Sequence, residues 1–199
     1  GQDLIFGQIL WTCFSDSRFG HLPFALVQEP LPPRRFWPGE ITRSASGVDL
    51  CRVLIEAIKL LPEPYPRVTP AERLKTLGTH LMQLAKPPTD TLGGKLIAAL
   101  QASNQHFKPA VMGRGAALMT QAPYYADDIT RFFDKQKQAE GDEHYWLPLD
   151  LCGVDGFAAA ESRLRRILEM FGALLEHWPS IVRAARALRE LRVRVSVPV

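Results

Sequence analysis

Asp142, Glu143, His144 and Cys152 bring the common types of metal-ligating side chain into one short stretch. A metal centre needs three or four donors converging on one point. Adjacent side chains at 142–144 diverge, and no HExxH or CxxC spacing fixes their geometry. The stretch therefore predicts a solvated acidic turn. His21, His80, His106 and His177 stand singly and read as surface or helix-end residues. Cys13, Cys51 and Cys152 are far apart and odd in number, which argues against a disulfide framework and suits a reducing, cytoplasmic setting. Cys51 falls on the apolar face of a predicted helix and reads as a small hydrophobe rather than a nucleophile.

Phosphate and acyl chemistry find no complete pattern either. Leu92-Gly93-Gly94-Lys95-Leu96 has the Gly-Lys pair of a phosphate loop, but Leu96 replaces the hydroxyl residue and the upstream glycine is missing. Gly113-Arg114-Gly115 lacks a third glycine and a preceding strand. Ser44-Ala45-Ser46-Gly47 begins with serine where a nucleophile elbow has glycine, so Ser46 reads as a helix cap. Asp127 and Asp128 diverge by about 100° on a helix and do not share a site. No cofactor is predicted.

Two short resemblances accompany these motifs. Residues 42–47 (Thr42-Arg43-Ser44-Ala45-Ser46-Gly47) resemble half of the cyclic-dinucleotide site of the PilZ family, with Arg34-Arg35 near the place of its paired arginines. Thr42 stands where that pattern has an acid. Residues 7–27 resemble the opening strands of PWWP or Tudor-type barrels, without the defining motif. Neither is carried into the functional reading.

Arginine carries the clearest functional signal. The chain has 24 basic and 21 acidic residues, net +3, and the basic set is mostly arginine. Arginine suits bidentate contacts to phosphate and carboxylate. Arg183, Arg186 and Arg189 lie on the polar face of a predicted C-terminal helix, opposite Ile181, Ala185 and Leu188. Arg192 and Arg194 extend the charge towards the chain end. Arg34, Arg35 and Trp37 form a second spot of a kind that stacks a nucleobase. The segment 101–156 is net acidic, so pairing within the chain is the competing expectation.

The elements that position these residues are mostly helical. Leu164, Leu168, Phe171, Leu175 and Trp178 alternate steps of four and three, a seam that faces a partner helix. Pro179 predicts a kink or break after them. Thr69-Pro70-Ala71-Glu72 is a capping box with proline at the first helical position. Leu74, Leu77, Leu81 and Leu84 follow it on one face. Further helices are predicted from about Ser46 to Leu61, Asp90 to Phe107 and Tyr125 to Gln138. Residues 3–14, His21–Val27 and His144–Leu149 read as strands, and alternating Val193, Val195, Val197 and Val199 predict a terminal strand.

The expected fold is thus α+β and predominantly helical, one domain over residues 1–199. It would comprise a small β-rich element over 1–38, a helical body over 46–192 and a strand over 192–199. With 46% hydrophobic and 23% charged residues and a mean hydropathy of −0.07, disordered, collagen-like and disulfide-scaffold classes are excluded. No apolar run reaches a membrane span. These features predict a non-catalytic interaction subunit, docking a protein partner or a second copy through the C-terminal helix. The alternatives are an accessory nucleic-acid-binding protein using the arginine face, and an enzyme whose site is dispersed in sequence.

Overall fold

A computed structural model describes residues 2–14, 16, 47–62, 68–87, 89–119 and 123–191. Among them are six α-helices: α1 (Gln2–Cys13), α2 (Leu50–Lys59), α3 (Pro70–Leu84), α4 (Thr89–Met119), α5 (Pro123–Ala139) and α6 (Gly156–Glu190). One 3-10 turn, Leu149–Leu151, precedes α6. The described residues are all-α, which corrects the expected α+β class.

The correction begins at the N-terminus. Residues 3–14, read as a strand from their Ile, Phe and Trp content, form α1. Short apolar runs are ambiguous by periodicity alone. What decides here is the four-residue step Ile5, Ile9, Cys13, which turns towards the core against α2 and α3. The barrel-like reading of residues 7–27 fails with it. His144–Leu149, also read as a strand, is a run of turns with one isolated parallel bridge from Pro148 to Val48. The predicted strands at 21–27 and 193–199 lie outside the described residues.

The capping box is formed as predicted. Thr69 Oγ1 accepts from the Glu72 amide at 3.3 Å, and Glu72 Oε2 accepts from the Thr69 amide at 2.9 Å. At α2 the cap is Asp49, whose carboxylate accepts from the Arg52 amide at 2.8 Å. Ser46 lies outside the described side chains. The buried stripe of α2 is Val53, Leu54, Ala57 and Ile58, and it takes Glu56 with it, paired to Lys59 at 2.9 Å.

α3 and α6 form the central antiparallel pair. Leu74, Leu77 and Leu81 meet the side of α6 bearing Leu164, Leu168 and Leu175 in one apolar core. The helices approach closely because Gly78 and Gly172 face each other. At the far end Arg165 Nη1 donates to the Ala85 carbonyl at 2.8 Å, closing the C-terminus of α3. Leu92, Leu96 and Leu100 of α4 complete the core, with Gly93 admitting the buried Trp146 indole. Beneath them Asn104 links Arg52 and Glu140 and donates to the Tyr145 hydroxyl at 3.1 Å.

Two helices continue through a proline. α4 runs on through Pro109 to Met119, past the predicted end at Phe107. α6 passes through Pro179 without a break. Each proline removes one donor, but the turns before it are already anchored, so the helix need not nucleate again.

Candidate docking surface

α1 is apolar nearly all round, with Asp3 as its one charged residue. A helix of that composition normally has both sides covered. Here one side is. Cys13 is buried and Ile5 and Ile9 are half-buried against the core, while Leu4, Phe6 and Trp11 are exposed, Trp11 by 73%. α1 is held in place by buried Arg73, which donates through Nε to the Thr12 carbonyl at 3.3 Å and through Nη2 to the Pro62 carbonyl at 2.9 Å. A guanidinium at a helix C-terminus satisfies an orphan carbonyl and opposes the negative end of the dipole.

Between α1 and α6 lies an open groove of about 570 Å³. Phe6, Ile9 and Leu10 form one wall, and Phe171, Leu174 and Trp178 the other, with Leu54 and Leu74 also lining it. Its named lining carries no charged side chain. Trp178 and Leu174 are each 44% exposed.

The predicted seam is therefore divided. Leu164 and Leu168 are wholly buried in the core; Leu175 is nearly so and also lines the groove. Phe171 and Trp178, with Leu174 beside them, face the groove.

Beyond Trp178 the helix outruns its neighbour. Arg165 opposite Ala85 and Gly172 opposite Gly78 fix an antiparallel register, in which α3 begins at Pro70 close to the level of Ser180. The remaining turns of α6 are consequently exposed, apart from half-buried Val182. Arg183, Arg186 and Arg189 stand on this overhang. Arg183 Nη2 donates to Ser180 Oγ at 2.9 Å, and among the described residues none of the three forms an ion pair. The expected pairing with the acidic middle of the chain is not made there. Ion pairs of α6 lie nearer its start, Arg163 with Asp155 and Arg165 with Glu161. Arg192, Arg194, Arg34, Arg35 and Trp37 lie outside the described residues.

Compared with protein-family models, with curated proteins and with solved structures, this chain finds no match. The chemistry of the surface must then be read from its own side chains.

Among the described residues the groups capable of covalent or metal chemistry are dispersed. His144 lies 3.4 Å from Asp142 and 3.6 Å from Glu143 and stacks on Phe157, with ring centroids 4.1 Å apart. Among the described residues no three His, Cys, Asp or Glu side chains converge on a point that would hold a metal ion. Cys152 Sγ donates to the Pro148 carbonyl at 3.3 Å. Burial pushes the Cys13 thiol up to about 11, against the lowering influence of Arg73. Burial, and for Cys51 also Asp49, raises the other two thiols. A raised thiol is a poor nucleophile at neutral pH. No helix among the described residues is long and apolar enough to cross a membrane.

Arg73 and the α1 wall escaped the sequence reading. Both left a trace. Arg73 stands four residues before Leu77 and eight before Leu81, a charged residue in line with the buried stripe. The step Ile5, Ile9, Cys13 carries the helical period of α1.

Proposed function

We propose that this protein is a non-catalytic interaction subunit that docks a protein partner through the groove and overhang of α6. The observation that carries this reading is the open apolar groove in which Phe171 and Trp178 meet solvent. Apolar surface concentrated in one concave place is the usual mark of an interaction site. The raised thiols and dispersed titratable groups favour binding over catalysis. The absence of a disulfide among Cys13, Cys51 and Cys152 suits a reducing, cytoplasmic compartment. The test is a stoichiometric complex, measured as a mass by light scattering, that Trp178→Asp dissociates while leaving the fold intact. An identical complex with both proteins, or a monomer under all conditions, counts against it.

A second reading rests on the guanidinium groups of Arg183, Arg186 and Arg189, which have no carboxylate partner among the described residues. They would serve an accessory nucleic-acid-binding protein by neutralising phosphates. Such binding weakens steeply with salt. Arg183→Glu with Arg186→Glu should abolish DNA and RNA binding at low salt, and unchanged binding would remove this reading.

A further inference from the structure

Resting on the docking reading above, we infer that the occupant of the groove is an amphipathic helix of a partner protein, apolar on one face and edged with acidic residues. Three observations lead there.

The first is shape. Both walls are helices, and the α6 wall continues past the groove. Leu174, Ile181 and Leu188 are seven apart, as are Phe171, Trp178 and Ala185. Residues seven apart on a helix lie about 20° apart around its axis. The apolar lines of the groove therefore run on to the overhang. An elongated apolar trough between helices takes a helix through anchors spaced three, four and seven residues apart.

The second is charge. Arg183 lies on the far side of the overhang, but Arg186 and Arg189 lie about 100° and 40° around the helix from Ala185, on the flank of the apolar lines. Only Glu190 opposes them between Ser180 and Leu191, and none of the three has a carboxylate partner among the described residues. A helix lying in the trough brings its own edge beside the guanidinium groups of Arg186 and Arg189. Carboxylates there would form bidentate, charge-assisted contacts.

The third is what the same charge disfavours. A second copy docking by two-fold symmetry presents the same patch to itself. Where the axis crosses the overhang, arginines would face arginines, and like charges in apposition select against that pairing. Nucleic acid suits the arginines better than the trough, because such interfaces are more polar and more positively charged than protein interfaces and the trough lining carries no charge.

The experiment is selection against the full chain from a displayed library of amphipathic helices. Leu or Phe occupies positions spaced three and four apart, and Glu, Gln or Lys varies along both edges. The expected result is enrichment of Glu-edged helices. A selected Glu-edged peptide should bind at least tenfold more tightly than its Lys-edged twin at low salt, and Arg186→Glu with Arg189→Glu should reverse that order. Enrichment of Gln- or Lys-edged helices that Trp178→Asp abolishes would overturn the acidic occupant and leave the docking role standing. No retained helix, or helices indifferent to both Trp178→Asp and Leu174→Asp, would overturn both. A dimer by light scattering that Trp178→Asp dissociates would give the groove to a second copy. Retention of a 20-nucleotide RNA that displaces the selected peptide would give the surface to nucleic acid. Circular dichroism of each variant confirms that the fold is retained.

Discussion

Gly78 and Gly172 meet backbone to backbone where α3 crosses α6. A Cβ added at Gly78 would lie 2.4 Å from the Gly172 carbonyl oxygen, and one added at Gly172 would lie 2.6 Å from that of Gly78. Nothing flexible stands between them, so the helices themselves must separate.

Gly172→Ala therefore lowers stability, although alanine is the better helix former by roughly 1 kcal/mol. Overpacking a close contact costs about 1–3 kcal/mol, and here it falls on the central helix pair. Gly94 is the control. It is exposed in α4 and a Cβ there meets nothing within 4 Å. Gly94→Ala should stabilise by about 0.5–1 kcal/mol. Urea unfolding of the two variants checks the opposite signs.

Arg73→Met keeps the apolar stem and removes the donors that hold Thr12 and Pro62. A buried carbonyl left without its partner costs about 1–3 kcal/mol. The loss should appear first in α1, because Arg73 is its tether. Hydrogen exchange is the measurement: amides of residues 5–13 should speed up while those at the α3–α6 crossing stay protected. Uniform acceleration through all helices would show that Arg73 supports the core as a whole.

The boundary between what could and could not be read in advance follows from these residues. The Thr69 capping box, the α3 stripe and the buried half of the α6 seam are local patterns, and local patterns survive folding. α1 misled because its composition favours a strand while its four-residue step favours a helix, and burial against α2 and α3 decided between them. The groove was illegible because its walls come from opposite ends of the chain. Periodicity marked Leu164 through Trp178 as one seam, but Leu164 and Leu168 are buried while Phe171 and Trp178 face the groove, a split by helix face that depends on which distant elements pack there.

Two titrating groups give α3 a pH dependence of known sign. Hydrogen bonds from the Thr69 side chain and backbone hold the Glu72 carboxyl below its usual range. A lowered carboxyl contributes stability above its unfolded value, and that contribution is lost as pH falls through the folded value. Thr69→Ala should cost about 1 kcal/mol as the loss of a helix cap and should flatten the acid limb of a stability profile between pH 5 and 3. An acid limb unchanged by the substitution would remove Glu72 from the account.

His80 acts in the same direction at higher pH. Burial lowers it below the ordinary imidazole value of 6.5, outweighing the raising influence of the Ala57 carbonyl 3.2 Å from Nε2. The folded state therefore binds the proton less readily than the unfolded one. Its contribution is complete above pH 6.5 and declines as pH drops through that value towards the folded one. His80→Gln should remove the slope between pH 7 and 5. Denaturant midpoints for both proteins at those two pH values decide it.

Leu168 and Trp178 belong to one sequence pattern and should respond in opposite ways. Leu168 is wholly buried in the α3–α6 core, so Leu168→Ala removes contacts that cannot re-form and costs about 2–5 kcal/mol. Trp178 lines the open groove and is nearly half exposed, so Trp178→Asp should lower the denaturant midpoint clearly less than Leu168→Ala. Binding reverses the ranking. A helix seated in the groove loses an aromatic anchor in Trp178→Asp, and anchors of that kind cost 2 kcal/mol or more at interface centres, about thirtyfold in affinity. Leu168 does not itself line the groove, so Leu168→Ala should bind with near wild-type affinity at temperatures where it remains folded. Measuring both quantities on both variants separates the half of the seam that builds the fold from the half that faces a partner. If Trp178→Asp destabilised the protein as much as Leu168→Ala, the groove wall would belong to the core and the distinction between Leu168 and Trp178 would be lost.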